Sequence, residues 1–255
     1  MILAVTLQKG GTGKTSSVQN FAAGLTRQGK KVLTIDLDAQ ANLTFSTGID
    51  PGSAAVTVID LLEKKAAAAD AVIHAEEYDI IPGDYRLSGA DVQFTATRRE
   101  YLLSDALESI RASYDFILID CPPQLGLLTV NALTAADSVL IPMTATVYSL
   151  QGLGQLQQAI ATVKRYCNRN LSINGLLITR YRPTNTTKQT KEAIKQTAET
   201  LNTKLYETII REGVAIPEAQ IQRASLFKVA PRANVTADYK AFIDEFLKGG
   251  SDNGK

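Results

Sequence analysis

Lys9-Gly10-Gly11-Thr12-Gly13-Lys14-Thr15-Ser16 is the stretch from which the rest of the chain is read. The apolar run Ile2-Leu3-Ala4-Val5-Thr6-Leu7 precedes it and a helix-like stretch from Ser16 to Arg27 follows, so a glycine-rich turn joins a strand to a helix. That is the setting of a phosphate-binding loop. Gly10, Gly11 and Gly13 let the backbone curl so that successive N–H groups point inward, and the positive end of the next helix adds to that field. Lys14 then reaches the β- and γ-phosphates of a nucleotide, and the Thr15 hydroxyl ligates Mg²⁺. The usual pattern G-x-x-x-x-G-K-[ST] fails at its first position, Gln8, and a second lysine, Lys9, stands next. In a simple geometric reading Lys9 points away from its own phosphates. It is either a solvated loop lysine or a charge with a partner elsewhere.

Outward from the loop the chain alternates between short apolar runs and helical stretches. Lys31–Asp36, Asp79–Pro82, Asp115–Asp120, Ser138–Pro142 and Ile173–Ile178 are bounded by turn residues and read as buried parallel strands. Ala55–Ala69, Arg99–Ala112, Leu150–Tyr166 and Thr187–Asn202 read as helices between them. The expected fold is α/β, a mostly parallel twisted sheet with helices on both faces and ligands at the carboxyl ends of its strands. One domain is expected over residues 1–248, with 249–255 a frayed tail.

Two carboxylate motifs sit at those strand ends. Asp120 ends the run Ile117-Leu118-Ile119-Asp120-Cys121-Pro122-Pro123; beside a phosphate loop it suits holding Mg²⁺ through water, where a lone aspartate would be a cap or turn. In Ile35-Asp36-Leu37-Asp38-Ala39-Gln40-Ala41-Asn42, alternation puts Asp36 and Asp38 on one side, so both can face the nucleotide.

These three motifs together resemble the ParA/MinD-type deviant Walker A ATPases, whose members include partition ATPases, MinD and the nitrogenase iron protein. The match is strongest over residues 1–142 and continues more weakly through 175–181 and 207–219. The resemblance implies that Lys9 crosses a dimer interface to the other subunit's nucleotide. It implies that Asp36 supports the Mg²⁺ and phosphate-loop network, that Asp38 positions the attacking water, and that adenine is recognised near Pro217 and Glu218. ATP and Mg²⁺ are the implied cofactors, and Lys9, Lys14 and Asp38 the catalytic residues. Ala39 and Ala41 replace the usual proline and glycine, Gln124 stands where serine is common, and Thr146 and Gln151 where acids are frequent. Where many members read I-P-R-N-V-R-L-S-E-A, this chain reads Ile210-Arg211-Glu212-Gly213-Val214-Ala215-Ile216-Pro217-Glu218-Ala219, losing a basic position at Ala215.

Composition narrows the branch. Hydrophobic residues make 45% of the 255, which suits a large α/β core, and no run reaches the roughly 18–20 apolar residues of a membrane span. Without a signal-like start the chain is expected in the cytoplasm, on the nucleoid when ATP-bound, and not at a membrane. Cys121 and Cys167 lack metal-ligand spacing and His74 is the one histidine, which argues against an iron–sulfur donor and against His-based catalysis. The apolar face Tyr239, Phe242, Ile243, Phe246 and Leu247 is ringed by Asp238, Asp244 and Glu245, so it reads as core rather than as a membrane-seeking helix.

The net charge of +1 is unevenly spread. Residues 1–150 hold 11 Lys and Arg against 17 Asp and Glu, whereas 151–255 hold 16 against 9. Arg180, Arg182, Lys188, Lys191, Arg211, Arg223, Lys228 and Arg232 are therefore candidates for contacts to duplex DNA without sequence preference, against the alternative of an ordinary solvated surface. The branch favoured is the ParA-type (Soj-like) partition ATPase without an N-terminal helix-turn-helix, the first strand beginning at residue 2. The resemblance implies an ATP-dependent homodimer, non-specific DNA binding and a ParB-type centromere-binding partner that stimulates hydrolysis. The alternatives are a MinD-like positioning or cell-division regulator and an ATP-dependent small-molecule ligase on the same scaffold.

Overall fold

The computed structural model describes residues 1–251 of the chain. Seven strands form one sheet: β1 (Ile2–Val5), β2 (Val32–Asp36), β3 (Ile73–His74), β4 (Asp79–Ile81), β5 (Phe116–Asp120), β6 (Ser138–Thr144) and β7 (Ser172–Thr179). Their spatial order is β3-β4-β2-β5-β1-β6-β7, with every pair parallel except the short β3 against β4. The expected parallel sheet is thus present, and the helices between its strands lie on both faces.

Alternation along each strand feeds two cores. Ile2, Ala4, Leu33, Ile35, Ile117 and Ile119 pack on one face with Leu103, Leu133, Leu153, Leu156 and Ile160. Leu3, Val5, Val32 and Leu118 pack on the other with Val18, Phe21, Tyr239 and Phe242. Burial on both faces explains why the central strands read as continuous apolar runs. Pro142 interrupts nothing: Thr6 N donates to the Leu140 carbonyl at 3.2 Å, and two residues on, at Pro142, β1 has ended. The strand accordingly runs past its expected end to Thr144.

The helix after the phosphate loop, Lys14–Arg27, stands beside the C-terminal helix, Asn234–Ser251. Phe21 meets Phe242 and Phe246 edge to face, at centroid distances of 5.0 and 4.7 Å. Gly24 permits this approach, because a Cβ there would lie 2.1 Å from the Ile243 Cδ1 atom. The apolar face of the last helix is core, as its acidic flanks suggested. That helix passes the expected boundary at 248 and ends at Ser251; the tail expected to follow lies, from 252 on, outside the described residues.

Two expected helices are broken. The stretch 55–69 holds only Val58–Leu62, because Lys64 adopts a left-handed φ of 57° and ends it; a second turn, Ala68–Ala71, follows. The stretch 99–112 contains Leu102–Leu107 between two 3₁₀ turns. Asn131 fixes that start from outside, its Oδ1 accepting from Leu103 N (3.0 Å) and its Nδ2 donating to the Arg99 carbonyl (2.9 Å).

Candidate active site

The carboxyl ends of β1, β2, β5 and β7 open on a cavity of about 1160 Å³. Its polar end is the phosphate loop. Gly11 and Gly13 have φ of 74° and 80°, the left-handed conformation that glycine adopts without steric cost. Gly10 has neither a positive φ nor a neighbour that a Cβ would touch, so the curl rests on the other two. Gly13 hands the chain directly into the helix Lys14–Arg27, whose first N–H groups remain open to an anion.

Lys14 is 7% exposed and its Nζ donates to the Lys9 carbonyl at 3.0 Å, an intramolecular stand-in for a phosphate oxygen. Burial lowers its pKa, and the charges of Asp120, Cys121 and Asp38 oppose that shift. Lys9 Nζ donates to Thr146 Oγ1 at 2.9 Å and lies 5.7 Å from the centre of the Tyr148 ring. Thr144, Thr146 and Ser149 link their hydroxyls in a cluster beneath it. Its acceptors are neutral. Burial, then the Arg180 charge, lower the Lys9 pKa.

Adjacent strands place Asp36 beside Asp120, in register on β2 and β5. Their surroundings differ. Asp36 Oδ2 accepts from Thr44 N (2.9 Å) and Thr44 Oγ1 (2.8 Å), and Oδ1 accepts from Asp38 N (3.1 Å). Gly83 closes over this group, where a Cβ would sit 2.9 Å from Asp36 Cγ. Burial nonetheless pushes the Asp36 carboxyl up to about 6. Asp36, expected among the metal residues, has both oxygens accepting from the turn Asp38–Thr44.

Asp120 is 1% exposed and both its oxygens lack a hydrogen-bond partner of good geometry. Burial and then the Asp36 charge raise its pKa well above the carboxylate range, and the Thr15 hydroxyl and the Lys14 charge only partly offset them. A buried carboxylate so placed fits a cation. Among the described residues no three acidic, Cys or His side chains form a metal cage. A Mg²⁺ ion would thus be held by Thr15, Asp120, water and phosphate oxygens, the sparse protein ligation usual for this ion. Asp38 lies half-exposed on the cavity wall, its Oδ1 accepting from Gln40 N at 3.0 Å.

The other end of the cavity is apolar, lined by Phe45, Val214, Ile216, Pro217 and Ile221. Pro217 lines the cavity, and the Glu218 side chain is exposed and does not. Gln220 also lines the cavity, its Nε2 donating to Ser16 Oγ at 3.2 Å. On the short helix Ala215–Ile221 one residue of phase decides which side chain faces inward.

The candidate DNA contacts separate under the structure. Arg180 and Arg182 line the nucleotide cavity: Arg180 Nη1 donates to the Gly11 carbonyl at 2.8 Å, and both arginines pair with Glu212. Arg211 makes a two-pronged pair with Asp238 (2.7 Å each), Arg223 pairs with Asp50 (2.7 Å) and lies 4.5 Å over the Phe45 ring, and Lys228 pairs with Glu76 (2.5 Å). Those five are not a free basic stripe, because acids distant in sequence neutralise them. Lys188 and Lys191 lie on the helix Asn185–Thr200, and Arg232 is exposed. Thr179, Arg180 and Gln220 were not expected to touch the phosphate loop; the position of the first two at the end of β7 was the available signal.

Comparison with known proteins agrees with this geometry. A family described as AAA domain matches residues 1–173. The chain is 38% identical over 253 residues to the sporulation initiation inhibitor protein Soj of Bacillus subtilis, spanning 98% of this chain and 99% of Soj. It is 39% identical over 223 residues to the chromosome partitioning protein ParA of Caulobacter vibrioides, spanning 86% and 83%. Among solved structures it resembles cobyrinic acid a,c-diamide synthase from Mycobacterium smegmatis with bound ATP analog and magnesium (TM-score 0.85, 30% identity, 100% and 97% of the two chains). It also resembles an ATP complex of McdA from Cyanothece (TM-score 0.85, 25% identity, 97% and 96%). Fold, phosphate loop and relatives converge: the chain belongs to the ParA/MinD-type P-loop ATPases.

Proposed function

We propose that this protein is an ATP-hydrolysing partition switch: with ATP and Mg²⁺ it dimerises through its nucleotide face, binds duplex DNA without sequence preference, and is reset by a ParB-type partner that stimulates hydrolysis. The observation that carries this reading is Lys9. Its ammonium is held by threonine hydroxyls and a tyrosine ring rather than by an acid, so it can leave for a nucleotide on a second copy without uncovering a buried charge. Exposed apolar side chains near it and on the cavity support the same face as a contact surface: Val147 and Tyr148 are 70% and 73% exposed, Val214 and Ile221 78% and 79%.

In this reading Lys14 exchanges the Lys9 carbonyl for the β- and γ-phosphates, and the loop N–H groups hold them in line. Asp38, half-exposed on the cavity wall, orients the attacking water; Lys9 of the partner subunit meets charge developing on the leaving oxygen. Thr15 and Asp120 would hold a bound Mg²⁺, which would supply charge neutralisation at the phosphates. The turn Asp38–Thr44, anchored by Asp36, carries the change in phosphate occupancy to the surface.

The similarity to a protein named as a cobyrinic acid diamide synthase favours a second reading, an ATP-dependent small-molecule ligase. One experiment separates them: binding to non-specific duplex DNA with ADP, ATP or a non-hydrolysable analogue across a salt series. Binding that needs the triphosphate and falls steeply with salt supports the switch. ATP turnover driven by a small carboxylate substrate, with no DNA binding in any nucleotide state, overturns it.

A further inference from the structure

We infer that Glu212 is an internal counter-ion that masks two arginines of a polyanion-binding surface until a nucleoside triphosphate occupies the site. This rests on the DNA-binding reading above and adds its gate. One Glu212 carboxylate serves both cations: Oε1 lies 3.2 Å from Arg180 Nη2, and Oε2 pairs with Arg182 Nε. The same Arg180 guanidinium donates through Nη1 to the Gly11 carbonyl of the phosphate loop at 2.8 Å. Latch and loop therefore share a side chain.

The backbone fixes this arrangement. Tyr181 N donates to the Ile210 carbonyl and Glu212 N to the Tyr181 carbonyl, both at 3.1 Å, so the segment after β7 and the segment carrying Glu212 run side by side. Arg180 holds a left-handed φ of 50°, a conformation that a residue with a Cβ keeps only where its surroundings over-determine it. Arg182 has a side chain 76% exposed and its one ion-pair partner among the described residues is Glu212, whereas Arg211 is tied to an Asp238 side chain that is 9% exposed.

Glu212, Arg180 and Arg182 all line the cavity that holds the phosphate loop. A triphosphate there draws Arg180 toward itself and repels the Glu212 carboxylate, since opposite charges in a shared cleft attract and like charges repel. Arg182 is released toward the outside, next to the lysine-bearing helix Asn185–Thr200 that begins three residues later. ATP thus changes the charge offered to DNA without any new basic residue appearing.

The test compares wild type with Glu212→Gln, which keeps size and hydrogen bonding but removes the charge. Duplex DNA binding is measured in ADP and in a non-hydrolysable ATP analogue over a salt series, alongside arginine modification by phenylglyoxal mapped by mass spectrometry. The latch predicts that in ADP the variant modifies faster at Arg182 and binds DNA more tightly, by about tenfold at 0.1 M salt for each phosphate contact released. Its log–log salt slope steepens by about one per contact, while in the ATP analogue the two proteins converge. Equal modification of Arg182 in wild type and variant overturns the latch, as does equal DNA affinity in ADP when the wild type binds with the analogue. Faster modification with no DNA binding by either protein in any state keeps the mask and overturns the DNA reading.

Discussion

Asp120→Asn should stabilise the nucleotide-free protein while removing its response to Mg²⁺–ATP. The wild-type carboxylate is 1% exposed and neither oxygen has a well-formed hydrogen bond. A buried carboxylate that Lys14 and Thr15 only partly offset costs several kcal/mol when ionised, and the amide that replaces it about 1–3 kcal/mol. The net gain is about 2 kcal/mol, or about 4–8 °C in Tm for a chain of this size. The sign with pH follows from the raised pKa of Asp120. A group whose folded pKa lies above its unfolded value makes the wild type most stable below the unfolded carboxylate pKa; that stability is lost as pH rises through the folded pKa. The asparagine variant lacks this loss, so its advantage is small in acid and grows toward neutral pH. Thermal unfolding between pH 4.5 and 8, with and without Mg²⁺–ATP, reads both effects. A variant that melts lower than wild type at pH 8 without nucleotide, or that gains as much as wild type from Mg²⁺–ATP, refutes the reasoning.

Lys9→Ala should leave the monomer's Tm within a few degrees, since its ammonium contacts only neutral groups, yet abolish ATP-induced dimerisation in light scattering; a dimer at wild-type affinity would contradict the assignment. Gly83→Ala forces a methyl to 2.9 Å from Asp36 Cγ. Overpacking of this kind costs about 1–3 kcal/mol, and here it also displaces the anchor of the turn Asp38–Thr44, so turnover should fall more than Tm; unchanged turnover would remove Asp36 and Gly83 from the switch.

The phosphate loop and the central strands were legible because each is local: glycine spacing and apolar runs carry their own geometry. The two-residue β3 was not, since two residues show no period and exist as a strand only through β4. The break at Lys64 was hidden because Glu63-Lys64-Lys65-Ala66 has good helix propensity and tertiary packing overrides it. The pairing of the basic residues in the C-terminal half was hidden for a related reason. Arg211 and Asp238 are 27 residues apart, Lys228 and Glu76 152, and a charge count cannot see such pairs. Asp36 and Asp120 look equivalent as strand-ending acids, and Thr44, eight residues from Asp36, distinguishes them.

Thr179 and Arg180 close the phosphate loop onto β7 by bonding the Thr12 and Gly11 carbonyls, 167 and 169 residues earlier in the chain. Contacts of such separation form late in folding, after the closure entropy of the intervening segment has been overcome. A chain emerging from the ribosome therefore carries its nucleotide motif complete in sequence but open in shape until the last third has docked. The phosphate loop therefore gains its support from β7 only once that strand has been made and has docked.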